Sequence, residues 1–210
     1  RVRRGGARIL AAATTVDEAR WLGAHGADAV VAQGLEAGGH RGCFLTDDLS
    51  TQMGTLALVP QVVQAVRIPV IAAGGIADAK GVAAVMALGA AGVQVGTAYL
   101  LCAEATTSAV HRAALKSDAA RVTALTNVFT GRPARGIVNR IMREMGPISA
   151  AVPPFPLAVS AVAPLRARAE SLGSGDFSPL WARQNTSGWQ EISAGALTRE
   201  LAALVRSVRL

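Results

Sequence analysis

Short apolar runs alternate with amphipathic stretches from Arg8 to Thr97, and a glycine stands at almost every change of pattern. Arg8–Ala13 predicts a first short strand. Thr15 opens a helix reaching about His25, with Glu18 three residues on as its capping-box partner, and Gly26 stops it. Ala27–Ala32 is a second apolar strand, followed by a polar loop and a helix predicted over Leu49–Val66. Arg67-Ile68-Pro69 restarts extended chain, and Val70–Ala73 is the third strand. Gly74-Gly75-Ile76 makes a turn, Asp78 is placed to cap a helix running to Leu88, and Gly89 ends it. Gly92–Val95 is the fourth strand, closing in Gly96-Thr97. Arg1–Gly6 reads as the end of a helix already under way. Strands that are apolar on both faces and alternate with helices predict parallel βαβ units.

Beyond Leu101 the pattern loosens. Helical periodicity is predicted over about Thr107–Ala119 and again over Thr126–Arg140. A proline-rich segment, Pro147–Pro156, separates these from a helix near Ala158–Ser171. A loop over Gly173–Trp189 then leads to a final helix, Ala194–Val208. The division this implies is a βα-repeat region over residues 1–106 and an α-rich region over residues 107–210.

Composition narrows the class. The chain of 210 residues is 51% hydrophobic and only 4% aromatic, which suits an α/β protein with buried parallel strands. No apolar run approaches the roughly 18 residues of a membrane span, and no signal-peptide pattern is seen, so the expectation is a cytoplasmic protein without a membrane partner. The net charge of +7 invites a nucleic-acid reading. However, the arginines are scattered, and no recognition helix or aromatic stacking platform accompanies them. Of 21 basic residues only Lys80 and Lys116 are lysines, an imbalance more typical of genomic base composition than of a binding stripe. Cys43 and Cys102 lie far apart without metal-ligand or redox spacing, so small packing roles suit them and no metal is expected.

The candidate chemistry lies in the loop after the second strand, Gln33-Gly34-Leu35-Glu36-Ala37-Gly38-Gly39-His40-Arg41-Gly42. Its glycines let backbone approach a ligand closely, and its histidine can move a proton near neutral pH. Two more glycine loops, Ala73-Gly74-Gly75-Ile76 and Val95-Gly96-Thr97, stand at the carboxyl ends of the last two strands. Their N–H groups, with the start of the helix after Gly75, form a candidate anion site. A dinucleotide fold would carry Gly-x-Gly-x-x-Gly after its first strand, and the chain has none there. Phosphate loops after consecutive late strands point instead to a TIM (β/α)8 barrel, read here as strands five to eight.

These loops resemble, as a set, the signatures of the nitronate monooxygenases, formerly called 2-nitropropane dioxygenases. The match runs through Gln33–His40, Ile71–Ile76, Gly92–Thr97, Phe129-Thr130-Gly131-Arg132-Pro133-Ala134-Arg135-Gly136 and Leu180-Trp181-Ala182. The family is an FMN-dependent TIM barrel with a smaller α-rich domain after it. The resemblance therefore implies that the chain is the C-terminal portion, and that the half-barrel holding the first four strands belongs to the full protein. One departure is Arg183, where relatives tend to carry glycine.

The same resemblance implies the roles. His40 would be the catalytic base, taking the proton α to a nitro group or assisting nitronate oxidation beside the flavin. Gln33, Gly38, Gly39, Gly74, Gly75, Gln94, Val95, Gly96 and Thr97 would contact FMN. Among these, Gly75, Gly96 and Thr97 would hold the phosphate and Gln33 would bond the isoalloxazine edge. Glu36 is either an acid partner or a brace for its own loop. His25 and His111, on predicted helices, are expected to be solvated. Arg132 and Arg135 could steer an anionic substrate or form surface pairs. The implied reaction is oxidation of alkyl nitronates or nitroalkanes with O2 to a carbonyl compound and nitrite. Two alternatives stand beside it: a flavin-dependent enoyl-[acyl carrier protein] reductase, and a non-catalytic flavin-binding or interaction fragment. A half-barrel with two open edges also allows a homo-oligomer.

Overall fold

A computed structural model describes residues 5–186 and 189–205, so the readings placed on Arg1–Arg4 and beyond Val205 lie outside the described residues. The chain forms two compact units. The first comprises the described parts of Arg1–Ala37, Gly42–Val95 and Gly195–Leu210, and the second comprises Gly38–Arg41 and the described parts of Gly96–Ala194.

The first unit is built on a four-stranded, wholly parallel sheet of β1 (Leu10–Ala13), β2 (Ala29–Gln33), β4 (Val70–Ala73) and β5 (Gly92–Gln94), lying side by side in chain order. Helices α1 (Val16–Ala24), α2 (Thr55–Ala65) and α3 (Ala79–Ala87) alternate with the strands, as the apolar periodicity predicts. The inner strands are buried: Val30, Ala32 and Ala72 have no exposed surface. They pack under α2, whose Leu58, Val59 and Val62 are equally buried. The outer strands are less covered; Leu10 on β1 is 58% exposed and Gln94 on β5 is exposed. Parallel sheets are ordinarily covered on both faces and are stable only as parts of larger layered assemblies.

Two helix starts follow the sequence closely. Thr15 accepts the N–H of Glu18, and Asp78 accepts the N–H of Gly81. The capping box is otherwise displaced, because the Glu18 carboxylate does not return to Thr15. It accepts the N–H and hydroxyl of Thr14 on one oxygen and the N–H groups of Phe44 and Leu45 on the other.

The helix predicted over Leu49–Val66 is shorter. A 3-10 turn at Leu49–Thr51 ends at Gln52, and α2 begins only after Gly54, whose lack of a side chain leaves the helix without a cap of its own.

The second unit departs further from the prediction. The helix predicted over Thr126–Arg140 is absent, and of that stretch only Arg140 is helical, as the first residue of the short helix Arg140–Met145. The stretch contributes to a three-stranded antiparallel sheet of β3 (Gly39–His40), β7 (Ala134–Ile137) and β6 (Thr123–Thr126), with β7 in the centre. β3 pairs with a segment more than ninety residues away, a partner that local periodicity cannot reveal. Around this sheet lie α4 (Ala109–Lys116), α5 (Arg140–Met145) and α6 (Ala158–Ser171), the last with the predicted bounds. Two apolar clusters hold the unit: Leu101, Leu115, Ile137 and Leu180, and Val128, Phe129, Ile141 and Met142. The final helix, α7 (Ala194–Ala202), belongs from Gly195 onward to the first unit.

Candidate functional site

In the first unit the candidate residues gather where the parallel strands end. Register places Gln33, Ala73 and Gln94 side by side on β2, β4 and β5, so Gly74 and Val95 leave the sheet at the same end. Gln33 is already engaged there, its Oε1 accepting the N–H of Gly42 at 2.8 Å. Gly74 has φ +116° and Gly75 φ +69°, conformations that suit glycine.

The loop is tightly braced. A Cβ on Gly74 would stand 2.8 Å from Thr55 Oγ1 and 3.1 Å from the N of Ala37, and a Cβ on Gly34 would overlap Thr55 Oγ1 and Glu36 Oε2. The braces are Glu36 and Thr55. The Glu36 carboxylate accepts the Thr55 N–H at 2.9 Å and lies 2.9 Å from the Thr55 hydroxyl, which also faces the Gly74 carbonyl oxygen at 3.0 Å. Glu36 thus supplies the cap that Gly54 cannot, and its role is to orient its own loop. The start of α3 adds less than the sequence suggested, because the Asp78 carboxylate occupies it.

In the second unit, His40 stands on β3 opposite Ala134, and Trp181 bridges to Gly136 two residues along β7. Partners of alternate strand residues share a face. Accordingly, the His40 and Trp181 rings meet with centroids 5.5 Å apart, and Phe155 meets His40 edge-on at 6.1 Å. Phe129 stands at right angles to Trp181 at 5.5 Å. The imidazole is exposed to solvent overall, but its Nε2 lies 2.9 Å from Oγ1 of Thr130, a residue only 9% exposed. Partial desolvation, and then the positive charge of Arg132, hold the His40 pKa below the ordinary histidine value. The ring is therefore largely neutral at neutral pH, as a proton acceptor must be.

Gly38 and Thr97 abut the same stretch of chain. A Cβ on Gly38 would lie 2.6 Å from the carbonyl carbon of Ala182 and 2.7 Å from the N of Arg183. Thr97 Oγ1 accepts the Arg183 N–H at 3.2 Å. Gly39 takes φ +79°. Gly96 has an ordinary φ of −109°, and a Cβ there, as at Gly39, would meet nothing within 4 Å. Arg183 is buried, with its guanidinium 5.1 Å over the Trp189 ring.

Two sequence expectations change, those for His111 and Arg135, while His25 is exposed as expected. His111 is not solvated: it is half-buried on α4 with Nε2 3.1 Å from the Trp181 carbonyl, and desolvation lowers its pKa. His25 is exposed but stacks on Trp21 at 3.8 Å. Arg135 is buried, with one guanidinium nitrogen bonded to the carbonyl and hydroxyl oxygens of Thr123, so it is a strand brace. Sequence reasoning assigned no role to Thr130, Phe155 or Trp181, although Thr130 and Trp181 lie inside quoted motifs. Their meaning depends on the β3–β7 pairing. Among the described residues no cluster of three His, Cys, Asp or Glu side chains could hold a metal, and Cys43 and Cys102 are buried free thiols. None of the described helices is long and apolar enough to cross a membrane.

A parallel βα array with glycine loops at its strand ends defines an α/β protein of the TIM-barrel type, and solved structures share it. Nitroalkane oxidase from Streptomyces ansochromogenes superposes with a TM-score of 0.89 at 44% identity, covering 98% of this chain and 59% of that one. FabK from Thermotoga maritima gives 0.75 at 29% identity, covering 99% and 65%. The nitronate monooxygenase family model matches residues 1–203, and the chain belongs to that family. It is 44% identical over 202 residues to the nitronate monooxygenase of Pseudomonas aeruginosa, a match covering 96% of this chain and 58% of that protein. The chain thus spans somewhat more than half the length of the relatives it matches.

Proposed function

We propose that this chain is the C-terminal portion of an FMN-dependent oxidoreductase that oxidises alkyl nitronates with O2 to a carbonyl compound and nitrite. In this reading residues 1–106 carry barrel strands five to eight and residues 107–210 form the α-rich cap. The exposed flanks of β1 and β5 are then the edges that the first four strands pair with, in a longer chain or an associated one. The family membership and the 44% identity to a nitronate monooxygenase support the activity.

The observation that carries the reading is Gly96. Its backbone conformation is open to any residue and a Cβ would strike nothing, so the local fold does not require glycine there. A glycine there leaves room for a flat or anionic group to lie close over the backbone. By the family resemblance, Gly96 and Thr97 would hold a flavin phosphate through their amides, and Gly74 and Gly75 are implied FMN contacts as well. Gln33, Gln94 and Val95, at the strand ends, would face the ring system, and Gly38 and Gly39 would let the loop run close beside it. Bound FMN supplies the electron transfer that links nitronate to O2. The protein's share is a neutral imidazole at His40, exposed enough to meet substrate and flanked by Trp181 and Phe155.

The test is the visible spectrum of the full-length protein, followed by nitronate-dependent O2 uptake and nitrite release. A flavin spectrum with that uptake supports the reading. NADH consumption with an enoyl thioester, and no response to nitronate, would move the assignment to the enoyl reductase. A protein that cannot be reconstituted with FMN would sink both.

A further inference from the structure

The segment that begins at Gly96 is a run of tight turns. Tyr99 N–H donates to the Gly96 carbonyl at 2.9 Å, Cys102 N–H to the Tyr99 carbonyl at 3.0 Å, and Ala105 N–H to the Cys102 carbonyl at 3.1 Å. Each turn closes on an i→i+3 bond, whose geometry is poorer than that of an α-helix, so such runs hold their shape poorly unaided.

One side chain holds this run. From α4 the Arg112 guanidinium donates to four backbone carbonyls: Leu101 at 3.0 Å, Cys102 at 2.7 Å, Ala105 at 3.0 Å and Thr107 at 3.3 Å. Leu101 and Cys102 are only 2% and 1% exposed, so water does not readily replace the fork at their carbonyls. A guanidinium suits the task, with five N–H donors in a rigid plane, no acceptor and a permanent charge. That charge also lies at the carbonyl end of the Thr97–Leu101 3-10 turn, where it complements the turn's dipole. The amide end is anchored separately, because Thr97 Oγ1 accepts the Arg183 N–H at 3.2 Å and Ala98 is fully packed.

We infer that Arg112 is a positioning residue for the cofactor phosphate, acting through the 97–102 turn, which it fixes so that the Gly96 and Thr97 amides keep one arrangement. The inference rests on reading those amides as the FMN phosphate contacts. A positioning role and a general brace differ in where a loss falls. Hydrogen bonds to a charged phosphate are stronger than neutral ones and depend on direction. Riboflavin carries the same ring system without the phosphate and makes no such bonds.

The experiment is titration of full-length apoprotein with FMN and with riboflavin, followed by flavin fluorescence. The ratio of the two dissociation constants isolates the phosphate contact, and riboflavin binding reports that the ring site is intact. Wild type should favour FMN. Arg112→Gln should lose about tenfold or more in FMN affinity while riboflavin affinity stays within about twofold. Arg112→Lys keeps the charge but not the fork, so its ratio should fall between the two. If Arg112→Gln does not fold, Arg112→Lys carries the same comparison. Equal losses for both flavins, or an unchanged ratio, would overturn the inference and leave the flavin reading intact. A wild type that binds both flavins equally would instead remove the phosphate contact at Gly96 and Thr97, and the inference with it.

Discussion

Glu36 caps the helix that begins at Thr55, nineteen residues away, with its carboxylate on the Thr55 N–H at 2.9 Å and beside the Thr55 hydroxyl at 2.9 Å. The pair joins the loop after β2 to the loop after β4, because the Thr55 hydroxyl also faces the Gly74 carbonyl. A residue that looks in sequence like a possible acid thus serves as a remote helix cap.

Removing that cap should cost stability. Glu36→Ala is expected to lower unfolding free energy by about 1–2 kcal/mol, and Thr55→Val by a similar amount. The double variant should lose less than the sum, since both remove the same contact. Thermal or urea unfolding of the four proteins measures this, and strict additivity would argue against a shared contact.

Glu18 predicts an acid-sensitive fold. Burial raises its pKa, but hydrogen bonds from Phe44, Thr14 and Leu45 outweigh burial and hold it below the ordinary glutamate value. The folded state therefore binds this proton more weakly than the unfolded state. Its contribution is fully present above about pH 4.3, the ordinary glutamate value, and is lost as pH falls through the depressed folded pKa. Glu18→Gln should flatten that acid limb and destabilise the protein at neutral pH by about 1–3 kcal/mol. Stability measured against pH from neutral to acid checks both.

The proton affinity of His40 should respond to Arg132. Desolvation is the larger cause of its lowered pKa and the Arg132 charge the second, so Arg132→Gln should raise the pKa without restoring it fully to the free value. The sign for stability is opposite to that of a partnered histidine. The fold resists protonation here, so stability falls as pH drops below about 6.5, the ordinary histidine value, toward the depressed folded pKa. NMR titration of the imidazole reads the shift directly, and turnover should rise with pH along the same curve if His40 is the base.

Two glycine substitutions should separate fold from cofactor. Gly74→Ala forces an L side chain to φ +116° against Thr55 and is expected to cost about 1–3 kcal/mol. Gly96→Ala meets open space and should leave the melting temperature unchanged while weakening flavin retention in the full-length protein. Thermal unfolding and flavin content of both variants supply the comparison; full FMN occupancy in Gly96→Ala would place the cofactor elsewhere.

The first hundred residues were largely legible because their determinants are local. Val70–Ala73 was predicted with its observed bounds, Thr15 and Asp78 cap the helices they were expected to cap, and Gly89 with φ +93° ends α3. Apolar runs flanked by caps and glycines specify such units without reference to distant residues. The motifs also single out His40 and the glycine loops as candidates, since the side chains that resemblance relies on are visible one letter at a time. What the chain's order could not show was contact across long separations. The pairing of Gly39–His40 with Ala134–Arg135 turned a supposed helix into strands and put Trp181 and Phe155 beside the imidazole. The same is true of Glu36 on Thr55, Glu18 on Phe44 and Leu45, His111 on Trp181 and Thr130 on His40. Sequence by itself determined the repeating parallel βα units and the residue types offered for chemistry. Only the tertiary structure decided which polar groups those residues satisfy, because a buried donor or acceptor takes the nearest partner in space, and chain order does not encode that distance.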